Sequence, residues 1–515
     1  MIQRFQSAVL AGLLAFVFSS CGSDGRTPVS PEGTPGIRIV AGEVDSDTIG
    51  ALLAAPLVVE VRDSAGQPAR GVTVRFATDT GRDSRVFLTV YAEHFPNYLQ
   101  QYIATDGDGR ASAYLMLGNR AGRAVITISA SALGLSVADS IDIRPGARAH
   151  LRMAGDTAVF IGSTTQVRGA VVDRADNPYS DRVTFSVSGS AATITPAGLA
   201  TGQAFGEGTV SATSGSFTGT THLAVVPHGT LALREIRSSG VPFEWTAGVS
   251  VVDLDLSHYR YLGPSLTKSF CTGCAFPYVG ARWDPDGTRI LFSSGYDNGY
   301  NDDPARVSQV DISGAIRTLS PSNFTLASDP SVSRDGRWLV FAGIPQGSYS
   351  YELWRANADG SSPEALPAAE PAESGHERRP DLSPDGLSIA YAAAAESSTR
   401  VHVRSVQTGT RTSLDVIGGS PRWSPTGDLI AYVGPVSYES PSGGELRAIH
   451  PDGTGDRRLA PGAFSGTYDW SPDGKYIVAE RGDFGGIVII EVATGTVVQL
   501  TSSSGSLGEP AWKPQ

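Results

Sequence analysis

Apolar and polar residues alternate along most of this chain in short runs that are separated by glycine, proline and aspartate. Leu57 to Arg62 and Val72 to Phe76 follow this period of two, and the segment Asp63 to Pro68 between them has the composition of a turn. Ala124 to Ala130 repeats the alternation further along the chain. A period of two is typical of strands with one buried face, whereas amphipathic helices repeat every 3.6 residues. The pattern therefore predicts an all-β protein built from short antiparallel strands.

A longer repeat occurs in the C-terminal half, where a turn of the Pro-Asp-Gly type recurs five times. The copies end at glycines that lie 41 to 50 residues apart, namely Gly287, Gly336, Gly386, Gly427 and Gly474. Proline fixes φ at the start of such a turn, aspartate accepts hydrogen bonds from its backbone, and glycine adopts positive φ. An apolar strand follows each glycine, and two more strand-like runs follow that strand. Each copy therefore predicts a four-stranded unit.

Two fragments complete a sixth unit. Residues 229–265 contain three strand-like runs that begin at Leu231, and residues 509–515 contain one run around Trp512. Joining strands from both ends of the region leaves no unpaired sheet edge. The repeats resemble those of TolB-like proteins. The resemblance implies a six-bladed β-propeller over residues 228–515.

Two smaller segments precede the propeller. Residues 37–146 resemble a bacterial Ig-like domain of the invasin type, and residues 147–227 resemble a bacterial Ig-like domain of group 2. The resemblance implies two β-sandwiches, which in such proteins act as spacers or adhesive stalks. Asp106 and Asp108 are interpreted as turn residues, because the further oxygen ligands of a calcium-binding loop are missing around them.

The N-terminus has the pattern of an export signal. Arg4 precedes an apolar run, and Cys21 follows that run directly. Residues 1–20 resemble a bacterial lipoprotein signal with Cys21 as the lipidated residue; an ordinary signal peptide is the alternative. Residues 21–36 are rich in glycine and proline, which predicts a flexible tether. The resemblance implies a lipid anchor in the outer membrane, with the domains facing the periplasm or the cell surface.

Composition agrees with this architecture and limits the partners. The 515 residues include 60 glycines and 32 prolines, as many short strands with tight turns require. The formal net charge is −12. Nucleic acids and anionic membrane surfaces are bound through clusters of lysine and arginine, so this charge argues against both as partners. A monomer that binds an envelope protein or a glycan is expected.

The predicted working face of the propeller carries the long polar loops that join one unit to the next and the second strand to the third. Tyrosines and carboxylates on such a rim suit recognition of a protein or glycan, and solvated loops without a ligand are the alternative. The candidate rim residues are Tyr296, Asp297, Tyr300, Asp302, Asp303, Tyr349, Tyr351, His376, Arg378 and Tyr438. Asp297, Asp302 and Asp303 also suit a structural calcium ion, and no other cofactor is expected.

Cys271 and Cys274 lie in one of these loops. Behind an export signal, two such cysteines are expected to form a disulfide. Free or redox-active thiols and a metal site are the alternatives. The sequence offers neither the helix start of a redox pair nor a second pair of cysteine ligands for zinc.

Catalytic motifs are missing from the sequence. It contains no G-x-S-x-G and no H-E-x-x-H, and its eight histidines are scattered, so the protein is expected not to be an enzyme. The favoured hypothesis is a lipid-anchored protein whose propeller binds a protein or glycan while the Ig-like modules form a stalk. A polysaccharide-active or metal-assisted enzyme that uses the propeller mouth is the alternative hypothesis.

Overall fold

The structure is a computed structural model that describes residues 34–78, 85–90, 98–154, 157–238, 244–269, 280–294, 305–367, 377–395, 398–435, 443–482, 485–501 and 507–514. Several predicted site residues lie outside these ranges: Cys21, Cys271, Cys274, Tyr296, Asp297, Tyr300, Asp302, Asp303, His376 and Tyr438. The described residues form strands and one short 3₁₀ turn, Ser131–Leu133. The all-β class predicted from the alternating pattern is confirmed.

The chain divides into two compact units. One comprises Met1–His150 with Ala170–Asp181, and the other comprises Leu151–Gly169 with Arg182–Gln515. This division differs from the predicted domain boundaries at 146/147 and 227/228. The strands between residues 182 and 227 belong to the same compact unit as the C-terminal repeats.

The first unit contains two sheets that bury a common core. Its strands up to residue 144 are β1 Gly36–Ala41, β2 Ser46–Thr48, β3 Leu57–Arg62, β4 Thr73–Ala77, β5 Val86–Thr89, β6 Gln100–Ala104, β7 Arg110–Leu117, β8 Gly122–Ala130 and β9 Leu135–Arg144. One sheet has the order β1-β3-β7-β5 and the other the order β2-β9-β8-β4-β6. Alternate residues such as Val59, Val74 and Ile126 are fully buried between them. Asp106 accepts hydrogen bonds from the backbone N–H of Asp108 and Arg110, as a turn residue does.

The next nine strands lead to the repeats. They are β10 Arg148–Met153, β11 Thr157–Phe160, β12 Thr164–Gln166, β13 Gly169–Asp173, β14 Thr184–Ser188, β15 Ala192–Ile194, β16 Leu199–Gly202, β17 Gly206–Ser214 and β18 Phe217–Val226. Within the second unit, seven of these strands form one sheet in the order β11-β18-β17-β14 and another in the order β12-β16-β15. Val210, Leu223 and Val225 are buried in the core of these two sheets.

The described residues from 229 onward form six four-stranded sheets. Their strands are β19 Thr230–Ser238, β20 Glu244–Asp253, β21 Arg260–Ser269, β22 Arg282–Trp283, β23 Arg289–Ser294, β24 Arg306–Asp311, β25 Ile316–Thr318, β26 Phe324–Val332, β27 Trp338–Pro345, β28 Glu352–Asn357, β29 Glu364–Ala365, β30 Glu377–Leu382, β31 Ser388–Ala395, β32 Ser398–Ser405, β33 Arg411–Ile417, β34 Gly419–Trp423, β35 Ile430–Val433, β36 Leu446–Ile449, β37 Arg457–Arg458, β38 Phe464–Trp470, β39 Tyr476–Arg481, β40 Ile487–Glu491, β41 Val497–Gln499 and β42 Leu507–Trp512. Sheets 2 to 6 take four consecutive strands each, starting at β22, β26, β30, β34 and β38.

Sheet 1 is completed by the C-terminus. Its order is β42-β19-β20-β21, and Trp512 lies opposite Leu231, the pairing that the two sequence fragments predict. We call β42, β22, β26, β30, β34 and β38 the inner strands. Each inner strand contacts an inner or second strand of a neighbouring sheet: β26 contacts β23 of sheet 2, and β42 contacts both β38 and β22. The series of sheets therefore closes on itself.

Both faces of these sheets are buried against neighbouring sheets. Leu291 of sheet 2 packs in one cluster with Phe341 of sheet 3, and Ala431 of sheet 5 packs with Trp470 of sheet 6. Strands buried on both faces need continuous apolar runs rather than alternation. The run from Ile487 to Ile490, in which every residue is fully buried, illustrates this.

Candidate functional site

The repeated turns owe their shape to a hydrogen-bond pattern that their sequence encodes. In sheet 4, the Ser383 hydroxyl donates to Asp385 at 2.6 Å and accepts from the backbone N–H of Ser388 at 3.0 Å. Gly386 has a φ of 70°. Ser333 and Ser471 make the same two kinds of bond in sheets 3 and 6. The motif therefore gives the ends of the inner strands in sheets 3, 4 and 6 the same geometry.

The residue after the serine position forms a ring on the side of the sheets that carries these turns, which we call the turn face. The ring comprises Pro285, Arg334, Pro384, Pro425, Pro472 and Pro514, and all six line one cavity of about 480 Å³. Five members are prolines, and Arg334 is the exception. Its Nη1 donates to the carbonyl oxygen of Pro425, two sheets away, at 3.0 Å. The arginine side chain thus spans the mouth of this turn-face cavity.

The wall below the ring is aromatic and aliphatic. It is formed by the last residues of the inner strands, namely Trp283, Val332, Leu382, Trp423, Trp470 and Trp512. Trp283, Trp470 and Trp512 are at least nine-tenths buried, because each packs between neighbouring sheets. Ligand pockets of comparable volume commonly combine apolar walls with a few polar groups.

The floor of the cavity is a cluster of charged side chains from four inner strands. Arg282 Nη1 lies 3.3 Å from Asp469, and its Nη2 lies 3.8 Å from Asp381. Arg422 lies 3.5 Å from Asp381. Two guanidinium groups thus neutralise two carboxylates where sheets 2, 4, 5 and 6 meet.

The two aspartates of the floor also join neighbouring sheets through backbone groups. Asp381 accepts the N–H of Trp423 at 2.8 Å, and Asp469 accepts the N–H of Trp512 at 3.0 Å. Ser331 donates its hydroxyl to Asp381 at 3.0 Å. Burial raises the pKa of Asp381 to about 6 against the opposing effect of Arg282, and burial also raises the pKa of Asp469.

Three polar atoms of the lining residues have no hydrogen-bond partner among the described residues, and all three are donors. They are Arg282 Nη2, Trp283 Nε1 and Trp423 Nε1. A buried donor without an acceptor costs free energy, so native structures rarely leave several in one place. The lining therefore holds three donors that no described acceptor satisfies.

A bulge in the inner strands places the floor residues, and sequence reasoning missed it. The pairing register shifts between Ser328 and Ser331, between Arg378 and Asp381, and between Gly419 and Arg422. At each shift a residue that is not glycine takes a positive φ of 53° to 55°: Asp329, Arg379 and Ser420. Arginine and serine do not favour this conformation, so only the repeat spacing could have indicated the bulge.

The predicted rim residues on the opposite, loop-bearing face are only partly described. Tyr349 is 93% exposed. Tyr351 is 5% exposed and packs in the core between sheets 3 and 4, so its ring is not part of an open rim. The Arg378 guanidinium lies 3.9 Å from the centre of that ring. The structure therefore brings Tyr351 and Arg378 together as a packed pair rather than as two separate contact groups.

The described part of the chain contains no group of three or more histidine, cysteine, aspartate or glutamate side chains arranged to hold a metal ion. It also contains no helix long and apolar enough to cross a membrane. The predicted calcium ligands Asp297, Asp302 and Asp303 and the predicted disulfide lie outside it.

Comparisons with known proteins agree with the repeat resemblance in part. No family model matches the chain. An uncharacterized protein of Agrobacterium fabrum is 28% identical over 166 residues, which are 29% of this chain and 53% of that protein. The Tol-Pal system protein TolB of Gluconobacter oxydans is 34% identical over 107 residues, which are 19% of this chain and 22% of that protein. The chain thus spans about half of one relative and about a fifth of the other.

Solved structures to which this chain is similar include TolB from Acinetobacter baumannii. It covers 71% of this chain and 100% of its own, with 15% identity and a TM-score of 0.45. An oligogalacturonate lyase in complex with manganese and a puromycin hydrolase are also similar, with TM-scores of 0.35 and 0.36. They cover 69% and 57% of this chain and 96% and 50% of their own, with 13% and 17% identity.

The prediction that the protein is not an enzyme is contradicted by these comparisons, because two of the similar structures are enzymes. Enzymes need not contain either of the two catalytic motifs that are missing from this sequence. Function has to be argued from the residues of the site, since one fold carries many functions.

Proposed function

We propose that this chain is a lipid-anchored protein of the bacterial cell envelope whose C-terminal sheets form a six-bladed TolB-like propeller that binds a partner. Cys21 would carry the lipid, residues 21–36 would form the tether, and the two N-terminal β-sandwiches would be Ig-like modules that space the propeller from the membrane. The partner is an envelope protein or a glycan. The relation to TolB of Gluconobacter oxydans over 107 residues supports the envelope assignment.

The observation that carries the binding proposal is the turn-face cavity. It lies where the six inner strands converge, it has a volume of about 480 Å³, and its lining combines tryptophan and proline with charged groups. Convergence of several elements on one mixed cavity is typical of binding sites. We therefore place the partner on the turn face, opposite the loop-bearing rim that the sequence favours.

A capture experiment tests this placement. The full chain is used as bait in cross-linking from envelope extract, beside a Pro384→Trp variant that narrows the mouth of the cavity. Pro384 is only partly buried on the ring, so the larger side chain can be accommodated without entering the core. We expect Pro384→Trp to reduce capture at least about fivefold, because a partner on this face must pass the ring.

The matched control is Tyr349→Ala, which removes an exposed aromatic side chain from the opposite face. Tyr349→Ala should leave capture unchanged. Loss of capture in Tyr349→Ala with full capture in Pro384→Trp would move the site to the loop-bearing face. Unchanged capture in both variants would mean that the partner binds neither at the mouth of the cavity nor at Tyr349, which contradicts the proposed placement.

A further inference from the structure

We propose that the turn-face cavity selects a carboxylate-bearing peptide segment of a partner protein, and that Arg334 is the residue that recognises the negative charge. This inference rests on the proposed function, because it names the chemistry of the ligand at the same site. It is carried by three observations: the one arginine in the proline ring, the charge balance of the lining, and three hydrogen-bond donors of the lining that have no acceptor.

The first observation is the departure of one repeat from the others. Proline occupies the ring position in five of the six sheets, where it shapes the turn. Sheet 3 has Arg334 instead, and its turn keeps the same serine and glycine geometry with Ser333 and Gly336. The arginine is therefore not needed to form the turn. Its side chain is exposed and reaches across the mouth of the cavity to Pro425.

The second observation is the balance of charge around the cavity. Each carboxylate of the lining has a cationic partner: Asp381 has Arg422 at 3.5 Å, Asp469 has Arg282 at 3.3 Å, and Asp473 has Lys475 at 3.4 Å. The hydrogen-bond partner of Arg334 is a neutral carbonyl oxygen. A guanidinium group binds a carboxylate more strongly than a carbonyl, through two parallel hydrogen bonds. An acidic ligand can therefore replace Pro425 as the partner of Arg334.

The third observation is that three donors of the lining lack an acceptor. The donors Arg282 Nη2, Trp283 Nε1 and Trp423 Nε1 make no hydrogen bond among the described residues. A peptide supplies acceptors in two forms, because its backbone carbonyl groups suit indole N–H donors and its acidic side chains suit guanidinium groups. The tryptophan and proline wall offers apolar contact to the residues that flank the acid. A free small anion would use Arg334 and leave that wall without a contact.

Isothermal titration of the full chain tests the inference with a defined probe. The probe is a blocked hexapeptide of alternating leucine and glutamate, and the matched peptide has glutamine in place of glutamate. We expect the glutamate peptide to bind at least about tenfold more tightly, which corresponds to about 1.4 kcal/mol. Tryptophan fluorescence should change on binding, because four of the seven tryptophans line the cavity.

The decisive variant is Arg334→Pro, which gives sheet 3 the residue that the other five sheets already have at this position. The backbone N–H of Arg334 makes no hydrogen bond among the described residues, so the turn should form normally. Arg334→Pro should abolish the preference for the glutamate peptide. The control is Arg337→Gln on the same turn, whose side chain is 77% exposed, pairs with Asp335 and does not line the cavity.

Equal affinity of the two peptides for the unaltered chain, or a preference that persists in Arg334→Pro, would overturn the inference. Acetate as a competitor separates recognition of a peptide from binding of any carboxylate, and full displacement by millimolar acetate would overturn the peptide assignment. The inference can fail while the proposed function stands. In that case, the envelope partner is captured equally by the unaltered chain and by Arg334→Pro, yet it is lost with Pro384→Trp.

Discussion

Asp381 lies where the inner strands of sheets 3, 4 and 5 meet, and its environment makes a specific prediction about pH. Burial raises its pKa to about 6 in the folded protein, from an ordinary value of 3.8. Between about pH 4 and pH 6, the carboxyl group of Asp381 is therefore protonated in the folded state and ionised in the unfolded state. The stability contributed by this group is fully present below pH 4 and is lost as the pH rises through 6.

Thermal unfolding of the unaltered chain and of Asp381→Asn between pH 4 and pH 7.5 measures this effect. As the pH rises through this window, the free energy of unfolding of the unaltered chain should fall by about 2 kcal/mol relative to that of Asp381→Asn. Asp335→Asn, compared with the unaltered chain between pH 5 and pH 2, provides a control of opposite sign. The Ser333 hydroxyl, the Arg337 N–H and the Arg337 guanidinium lower the pKa of Asp335 to about 2, so its contribution is lost as the pH falls. If the difference in unfolding free energy between the unaltered chain and Asp381→Asn does not change with pH, the raised pKa of Asp381 is contradicted.

Residue contacts in the site were only partly predictable. The serine, aspartate and glycine of the turns could be read from the sequence, because each acts on a backbone within five residues. The bond between Asp381 and the N–H of Trp423 could not, because it joins residues 42 apart and depends on how two sheets meet. Tyr351 was expected on the rim for a similar reason. A tyrosine at the end of a loop is buried only if a neighbouring sheet covers it. The local sequence does not show whether such a sheet is present.

Among the strands, the pairing of β42 with β19 matters most for stability, because it completes sheet 1. Strand β42 lies on β19 with Ala511 opposite Ala232, and Trp512 is 5% exposed. Removal of residues 507–515 leaves the edge of β19 unpaired and exposes the wall of the cavity on one side. Unpaired edges of buried sheets promote association of chains.

We therefore expect the chain without residues 507–515 to form oligomers in size-exclusion chromatography and to unfold at a lower temperature. A synthetic peptide of residues 507–515 should restore the monomer, because it supplies the missing strand. The single substitution Trp512→Ala, which keeps the strand, should cost about 3–5 kcal/mol without oligomers. A truncated chain that stays monomeric and keeps its unfolding temperature would refute the role of this strand in closure.

At the scale of the second compact unit, one apolar cluster joins the strands before residue 227 to the six sheets. It contains Ala224 and Val226 together with Leu231 and Trp512. The Phe205 ring lies 5.0 Å from that of Tyr476. The sequence predicts a domain boundary at 227/228 from a change of repeat type. A change of repeat type does not show whether the strands before residue 227 share a core with those after it. That depends on which faces of the two sets of strands pack together.

The shared cluster predicts that a substitution before residue 227 destabilises the sheets after it. All seven tryptophans lie between residues 245 and 512, so tryptophan fluorescence reports the unfolding of the six sheets alone. Phe205→Ala should lower that unfolding temperature by about 2–4 °C, as expected for a loss of about 1 kcal/mol in a domain of this kind. Phe217→Ala is the matched control, because Phe217 packs in the core of the preceding strands and not in the shared cluster. Equal unfolding temperatures for Phe205→Ala and the unaltered chain would mean that the preceding strands and the six sheets unfold independently, and the turn-face cavity would then keep its shape without them.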